Sequence, residues 1–318
     1  MAEMTEHTGK RFDLVALGEA MLEFNQVQAD PALYLQGYGG DTSNAAIAAA
    51  RAGARVAYIT RTGQDHWGSR LLGLWQAEGV NAEAVHSDPS APTGVYFVSH
   101  DEKGHHFSYA RAGSAASRMQ PADLTGSWHQ CIAQSLWLHV SGISMAISDS
   151  ACETVLAAMR LARSLGTQVS LDSNLRLRLW SLEKARTALE QALPLCDLFL
   201  PSLEDMQQLT DLRDADAILD WSHGRGARQI VLKLGADGAR CSQSGQRTTI
   251  AGHKVQALDA TGAGDCFAGN LLATLAQGHD LTQAVRYANA AAALSVQGYG
   301  AVAPLPHSAQ VHRFLGQP

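Results

Sequence analysis

Residues 259–265, Asp259-Ala260-Thr261-Gly262-Ala263-Gly264-Asp265, are the most informative stretch of this chain. They follow an extended apolar stretch at Val255, Ala257 and Leu258, and they open a helical pattern. From Cys266 to Gln277, residues Phe267, Leu271, Leu272 and Leu275 fall on one face, and Gly278 is the stop. Gly262 and Gly264 carry no side chain that would hold an anion away from the backbone. Successive amides can therefore converge on one oxyanion, and the helix N-terminus adds its partial positive charge. Asp265 sits inside this anion-seeking turn. A carboxylate there repels phosphate, which argues for a chemical role, that of accepting the proton of a hydroxyl attacking phosphorus. Aspartate is also a good helix N-cap. Gly-Ala-Gly-Asp alone leaves both readings open, and the rest of the chain favours the base.

Elsewhere in the chain, strand and helix patterns alternate. Strands are expected at Phe12–Gly18, Arg55–Thr60, Ser135–Val140, Gln168–Asp172, Asp197–Leu200 and Gln229–Leu234. Helices are expected at Asn44–Ala52, Trp67–Gly79, Ser148–Leu165, Leu182–Leu193, Leu203–Leu209 and Ala215–Gly224, with a final one at Thr282–Gln297. Such alternation implies an α/β fold, a doubly wound, mostly parallel sheet with helices on both faces. Residues 94–109 break the pattern. They alternate around an Asp101–Gly104 turn, as a β-hairpin does. With the segment from Glu19 to Tyr38 they predict a small β lid, residues 19–38 and 93–112, over the C-terminal ends of the strands, where such folds bind ligands. The reading is one domain, 1–318, with the first ten residues disordered.

Composition narrows the function classes. The net charge of −6 argues against nucleic-acid and membrane partners. The five cysteines are scattered without metal-ligand spacing, which fits reduced thiols buried in a cytoplasmic protein. The first eleven residues lack the apolar core of a signal peptide.

The first strand's closing glycine, Gly39-Gly40-x-x-x-Asn44, a β lid and the late D-x-T-G-A-G-D together resemble the layout of the ribokinase-like (PfkB) sugar kinases, from Leu14 to about Pro306. Residues 39–44, 107–111, 138–147 and 172–180 bring it nearer to the branch of 2-keto-3-deoxygluconate kinases, enzymes of sugar-acid catabolism. The resemblance implies ATP and Mg²⁺. It implies a sugar site at Gly39, Gly40, Asp41 and Asn44, whose amide offers a donor and acceptors to a polyol. Tyr96, Tyr109 and Arg111 lie on the hairpin. Tyr109 and Arg111 are two apart and project from one face. A guanidinium beside an aromatic wall suits a sugar carboxylate, which Arg can hold by two parallel hydrogen bonds. Arg176 matches the family's residue between sugar and nucleotide phosphates, and Asn174 stands beside it. Arg178 shares its face if the strand continues, whereas a turn separates them; a salt-bridge role is equally open for it. Trp180 reads as core. The turn after Gln229–Leu234, with Lys233, Gly235, Asp237 and Gly238, borders the nucleotide in the family. Ser202 stands where many members have the Asn of N-x-x-E, leaving Asp205 to serve Mg²⁺ through water. Backbone oxygens at Asp259 and Thr261 are candidates for a K⁺ site. Pairing of lids into a homodimer is a further expectation.

Three other readings compete. A kinase of a neutral sugar such as fructose or ribose leaves Arg111 without a purpose. A dinucleotide oxidoreductase lacks its G-x-G-x-x-G, since Gly18-Glu-Ala-Met follows the first strand. A silent sugar-binding protein has no use for Asp265.

Overall fold

The computed structural model describes residues 9–27, 30–101 and 104–317. Glu102 and Lys103 of the expected lid turn, and the first eight of the ten residues expected to be disordered, lie outside the described residues.

In chain order, β1 (Phe12–Leu17) runs into β2 (Met21–Val27) and β3 (Asp30–Gly39), and α1 (Asp41–Arg51) leads to β4 (Val56–Ile59), β5 (Arg61–Gly63) and α2 (His66–Ala77). β6 (His86–Asp88), β7 (Val95–Asp101) and β8 (Gly104–Ala110) follow, then α3 (Gly126–Ala133), β9 (Ser135–Ser141), α4 (Gly142–Ala146) and α5 (Asp149–Ser164). Next come β10 (Gln168–Asp172), α6 (Leu182–Ala192), β11 (Leu198–Leu200), α7 (Leu203–Thr210), α8 (Ala215–Gly224) and β12 (Gln229–Lys233). The chain closes with β13 (Gly238–Gln243), β14 (Gln246–Ala251), α9 (Ala263–Ala276), α10 (Leu281–Ser295) and α11 (Ser308–Phe314).

Among the described residues the main sheet has eight strands in the order β14-β13-β12-β11-β10-β9-β1-β4. From β4 to β12 all neighbours are parallel, and β13 and β14 add an antiparallel edge. The inner strands read as nearly continuous apolar runs because helices cover both faces. One core lies under α1, α2, α9 and α10, the other under α3 and α5–α8. Strand order reverses at β1, which has β4 on one side and β9 on the other. The crevice beyond their C-terminal ends is where such sheets take ligands. The lid is a separate sheet, β3-β2-β7-β8, standing over that crevice.

Three differences from the sequence reading follow from local physics. Residues 252–258 are irregular rather than extended, and α9 begins at Ala263, with Gly262 as its N-cap at φ 74°. Asp265 is therefore in the first turn and is not the cap. β8 ends at Ala110, one residue short of Arg111. The short strands β5 and β6, helices α3, α4 and α11, and the edge hairpin β13–β14 are additions to the expected elements; the hairpin's largely exposed β14 carries little apolar alternation. β10 ends at Asp172 as expected, and Asn174 takes φ 30°, so of the two alternatives left open for Arg176 and Arg178 the turn is the one present.

A close helix crossing sets the site. On α9, a Cβ at Gly269 would lie 2.1 Å from the Ala45 carbonyl oxygen and 2.9 Å from Ala48 Cβ on α1. Only glycine lets these backbones approach so closely. The crossing brings the first turn of α1 against the first turn of α9.

Candidate active site

Two cavities flank the N-terminus of α9. The first, about 420 Å³, is lined by Lys233, Gly235, Ala236 and Gly238, by residues 252–255 and Ala257, by Ala263, Gly264 and Phe267, by Asn289, Ala292 and Ala293 on α10, and by Val296 just after it. The second, about 380 Å³, lies under the lid and is lined by Glu19, Gly40, Asp41, Asn44, Tyr96, Tyr109, Arg111, Asn174, Arg176, Arg178, Gly262 and Asp265, among others. Ala260 borders both. A largely apolar chamber and a polar one thus meet at one glycine-rich helix end, an arrangement suited to passing a charged group between two ligands.

Asp265 receives Asn44 Nδ2 on Oδ2 at 2.9 Å and Asn174 Nδ2 on Oδ1 at 3.4 Å. Asn174 Nδ2 also lies 3.2 Å from Asp41 Oδ2. Burial first, and then the Asp41 carboxylate, push the Asp265 carboxyl up to about 7, against the bond from Asn44. Burial likewise raises Asp41. A base that titrates near neutrality is suited to proton removal at neutral pH. Asp41 Oδ1 and Asn44 Oδ1 are buried acceptors without a partner among the described residues. Beside the lid cavity they fit the hydroxyl donors of a polyol.

The glycine cradle is narrower than expected. The Ala263 amide donates to the Ala260 carbonyl at 3.1 Å, so this catalytic candidate is already committed. The amides of Gly262, Gly264 and Asp265 remain as first-turn donors without a backbone partner among the described residues. A Cβ on Gly264 would lie 3.4 Å from Lys233 Nζ. An anion there would have both the amides and an ammonium. Lys233 is held by buried Asp172 at 2.6 Å, so it is fixed rather than solvated.

Gly39 does not line the lid cavity. A Cβ there would meet Tyr96 Oη at 2.3 Å, so this glycine makes room for a tyrosine. Gly40 does line it and holds φ 113°. The Tyr96 hydroxyl donates to Glu23, and its ring stacks with Tyr109 at 5.7 Å. Arg111 Nε donates to Glu19 Oε2 at 2.8 Å, with Nη2 against the same oxygen, while Ser114 Oγ donates to Oε1. The expected free fork of Arg111 is thus occupied by a carboxylate of the protein itself. Asp237 is exposed and outside the first cavity's lining. Asp205 borders neither cavity. Its Oδ2 accepts from Ser173 Oγ at 2.7 Å and Leu175 N at 3.1 Å, bracing the loop that carries Asn174 and Arg176. Ser202 caps α7 by accepting from Asp205 N at 3.1 Å. Asp259 Oδ1 takes the Thr261 amide and hydroxyl, and Oδ2 takes the Gly300 amide, tying the glycine turn to the C-terminal loop.

Sequence reasoning missed Glu19, Asp172, His253, Lys254 and Asn289. Glu19 had a signal, since it directly follows the first strand at the ligand-binding end of the sheet. Asp172 had the same signal as the last residue of an expected strand, and the other three had none.

The family described as pfkB family carbohydrate kinase matches residues 11–308. The 2-dehydro-3-deoxygluconokinase of Thermoproteus tenax is 35% identical, covering 93% of each chain. The fructokinase of Vibrio alginolyticus is 31% identical, covering 88% of this chain and 92% of that one. A crystal structure of fructokinase from Vibrio cholerae, in a fructose, ADP and calcium ion bound form, is similar at TM-score 0.85 and 29% identity, covering 95% of this chain and 98% of that one. Among the described residues, no helix is long and apolar enough to cross a membrane.

Proposed function

The chain belongs to the pfkB family of carbohydrate kinases, and on that basis we propose that it phosphorylates the terminal (6-) hydroxyl of 2-keto-3-deoxygluconate from ATP, giving 2-keto-3-deoxy-6-phosphogluconate. The observation that carries this reading is that Arg176 and Arg178 line the lid cavity with no carboxylate partner among the described residues, whereas Arg111 is matched by Glu19. Two unmatched guanidiniums are more than a neutral sugar needs, and a carboxylate offers them a partner. The 2-dehydro-3-deoxygluconokinase relative supports the same substrate.

ATP occupies the cavity between the Gly235–Gly238 turn and α10, with its phosphates toward Gly262 and Gly264. The 6-hydroxyl oxygen bonds to the γ-phosphorus as the bond to ADP breaks, and Asp265 takes the hydroxyl proton. The Gly262 and Gly264 amides, Lys233 and Arg176 stabilise charge on the transferring group. Asn44 and Asn174 hold Asp265 in place. Mg²⁺ entering with ATP supplies counter-charge to the phosphate oxygens. Asp205 suits it as a ligand through water, because only Oδ2 is engaged by the loop. Carbonyl oxygens of Asp259 and Thr261 are our candidates for a K⁺ site. Exposed Leu33, Tyr34 and Leu35 on the lid support pairing with a second copy through that sheet.

A second reading, a neutral ketose kinase, draws on Glu19, which already balances Arg111. A coupled ADP-release assay over keto-deoxy acids and neutral ketoses separates the two. The acid is expected to have the higher kcat/KM, and a ketose that matches it overturns the acid reading.

A further inference from the structure

One wall of the first cavity is held by little regular structure. Residues 252–257 lie outside every strand and helix, and His253, Lys254, Val255 and Ala257 line the cavity. Gly252 N donates to the Asp237 carbonyl at 3.1 Å, and Leu258 N donates to the Val296 carbonyl at 2.7 Å. Between these two ties, residues 253–257 make no backbone hydrogen bond among the described residues. Val255 and Ala257 belong to neither core. What meets the span is a ring: His253 and Phe314 of α11 lie 5.0 Å apart, edge to face at 70°. α11 is itself docked by Val311, which is fully buried, and by Leu315. His312 adds a ring contact at 5.4 Å to Tyr287 of α10, the helix that carries Asn289, Ala292 and Ala293 to the same cavity. Phe314 takes no part in that docking. It is 37% exposed, stands outside both cores and lines neither cavity.

Resting on the placement of ATP in this cavity, we infer that Phe314 is a positioning residue for nucleotide binding, acting through His253 to hold the 252–257 wall against the bound base. A span tied only at its two ends has conformational freedom that binding must remove, and that ordering lowers affinity. An edge-to-face aromatic pair restrains the span before the nucleotide arrives. The C-terminal helix thereby joins two walls of one cavity, α10 through His312 and the 252–257 span through Phe314. Phe314 lines neither the sugar cavity nor the nucleotide cavity, so its effect falls on nucleotide affinity and spares the chemical step.

The test measures ADP release at varied ATP in the wild type, Phe314→Ala, His253→Ala and the double variant. Phe314→Ala is expected to raise KM for ATP about two- to tenfold, the scale of one aromatic pair. Its kcat at saturating ATP and its KM for the sugar stay nearly unchanged. Phe314→Leu keeps apolar bulk without a ring and should do the same, whereas Phe314→Tyr should keep the wild-type value. In the His253→Ala background, Phe314→Ala should have no further effect. A residue that only stabilises α11 lowers the melting temperature or the active fraction and leaves KM for ATP alone. That result overturns the inference, as does a Phe314→Ala effect of full size in the His253→Ala background. Ala292→Phe puts bulk into the same cavity from α10 and tests the placement itself. If it raises KM for ATP while Phe314→Ala does not, this inference alone fails. If neither variant changes KM for ATP, the nucleotide lies elsewhere, and the placement fails together with the inference.

Discussion

Asn44 Nδ2 donates to Asp265 Oδ2 at 2.9 Å across the crossing of α1 and α9. One helix brings the sugar-facing amide, the other the carboxylate and the anion-seeking amides. Gly269, which lets the two backbones touch, thereby sets the distance between substrate and base. A side chain there would separate binding from chemistry without touching either ligand.

Asp265→Asn is expected to leave the fold intact and lower kcat by about 10²–10⁴-fold, the range for a positioned general base. Asparagine keeps the shape but takes no proton. The capping role that competed with catalysis is filled by Gly262, so loss of activity in this variant is not explained by a lost cap. Near-normal turnover by a folded variant removes the assignment.

The raised Asp265 carboxyl predicts two opposite pH trends. The base works ionised, so kcat/KM climbs as pH rises through about 7 and then levels. Stability runs the other way. The folded state holds this proton more tightly than the unfolded chain, whose carboxyl has the ordinary value of 3.8. The contribution is full below that value and is lost as pH rises through about 7. In Asp265→Asn both trends should disappear, one from the kinetic profile and the other from the melting curve. A rate limb that persists unshifted in a residually active variant belongs to another group.

The lid pair gives a third test. Arg111→Ala leaves Glu19, 1% exposed, without its cation. Breaking such a buried pair costs about 3–5 kcal/mol, which denaturant unfolding reads directly. Arg111→Lys keeps the charge but loses the Nε contact to Glu19, so it should cost less stability than Arg111→Ala while still weakening the wall of the sugar cavity. An unfolding curve equal to wild type in Arg111→Ala shows that the pair contributes nothing.

The parts of this site that sequence exposed are those written in consecutive residues. The apolar face of α9, the glycines at its start and the alternation of β1, β9 and β10 are local patterns, and the topology follows from them. What stayed hidden depends on distance or on one dihedral. Glu19 and Arg111 are 92 positions apart, and no pattern joins them. The strand end at Asp172 was legible, but the choice of a turn between Arg176 and Arg178 goes with the positive φ of Asn174, which a strand pattern does not announce. Ser202 reads as a loss in the sequence because it departs from the family's Asn. In the fold it caps α7 and orients Asp205 toward the loop of the site.

Metal dependence is the last test, and its two ions stand on different ground. ATP phosphates need counter-charge, and among the described residues no cluster of three acidic, His or Cys groups supplies a preformed metal cage. Mg²⁺ is then held chiefly by the phosphates and water, so its affinity should follow ATP: excess EDTA should abolish turnover, and MgATP²⁻ should be the form that saturates. Full activity in EDTA contradicts the mechanism. K⁺ concerns the turn itself. Asp259 already ties Thr261 to Gly300 with its carboxylate, and a monovalent cation on nearby carbonyls would stiffen the same turn and favour an anion electrostatically. In a tetramethylammonium buffer with Mg²⁺ fixed, K⁺ added at constant ionic strength should raise kcat and lower KM for ATP. A flat response removes the K⁺ site and leaves phosphoryl transfer by Asp265 untouched.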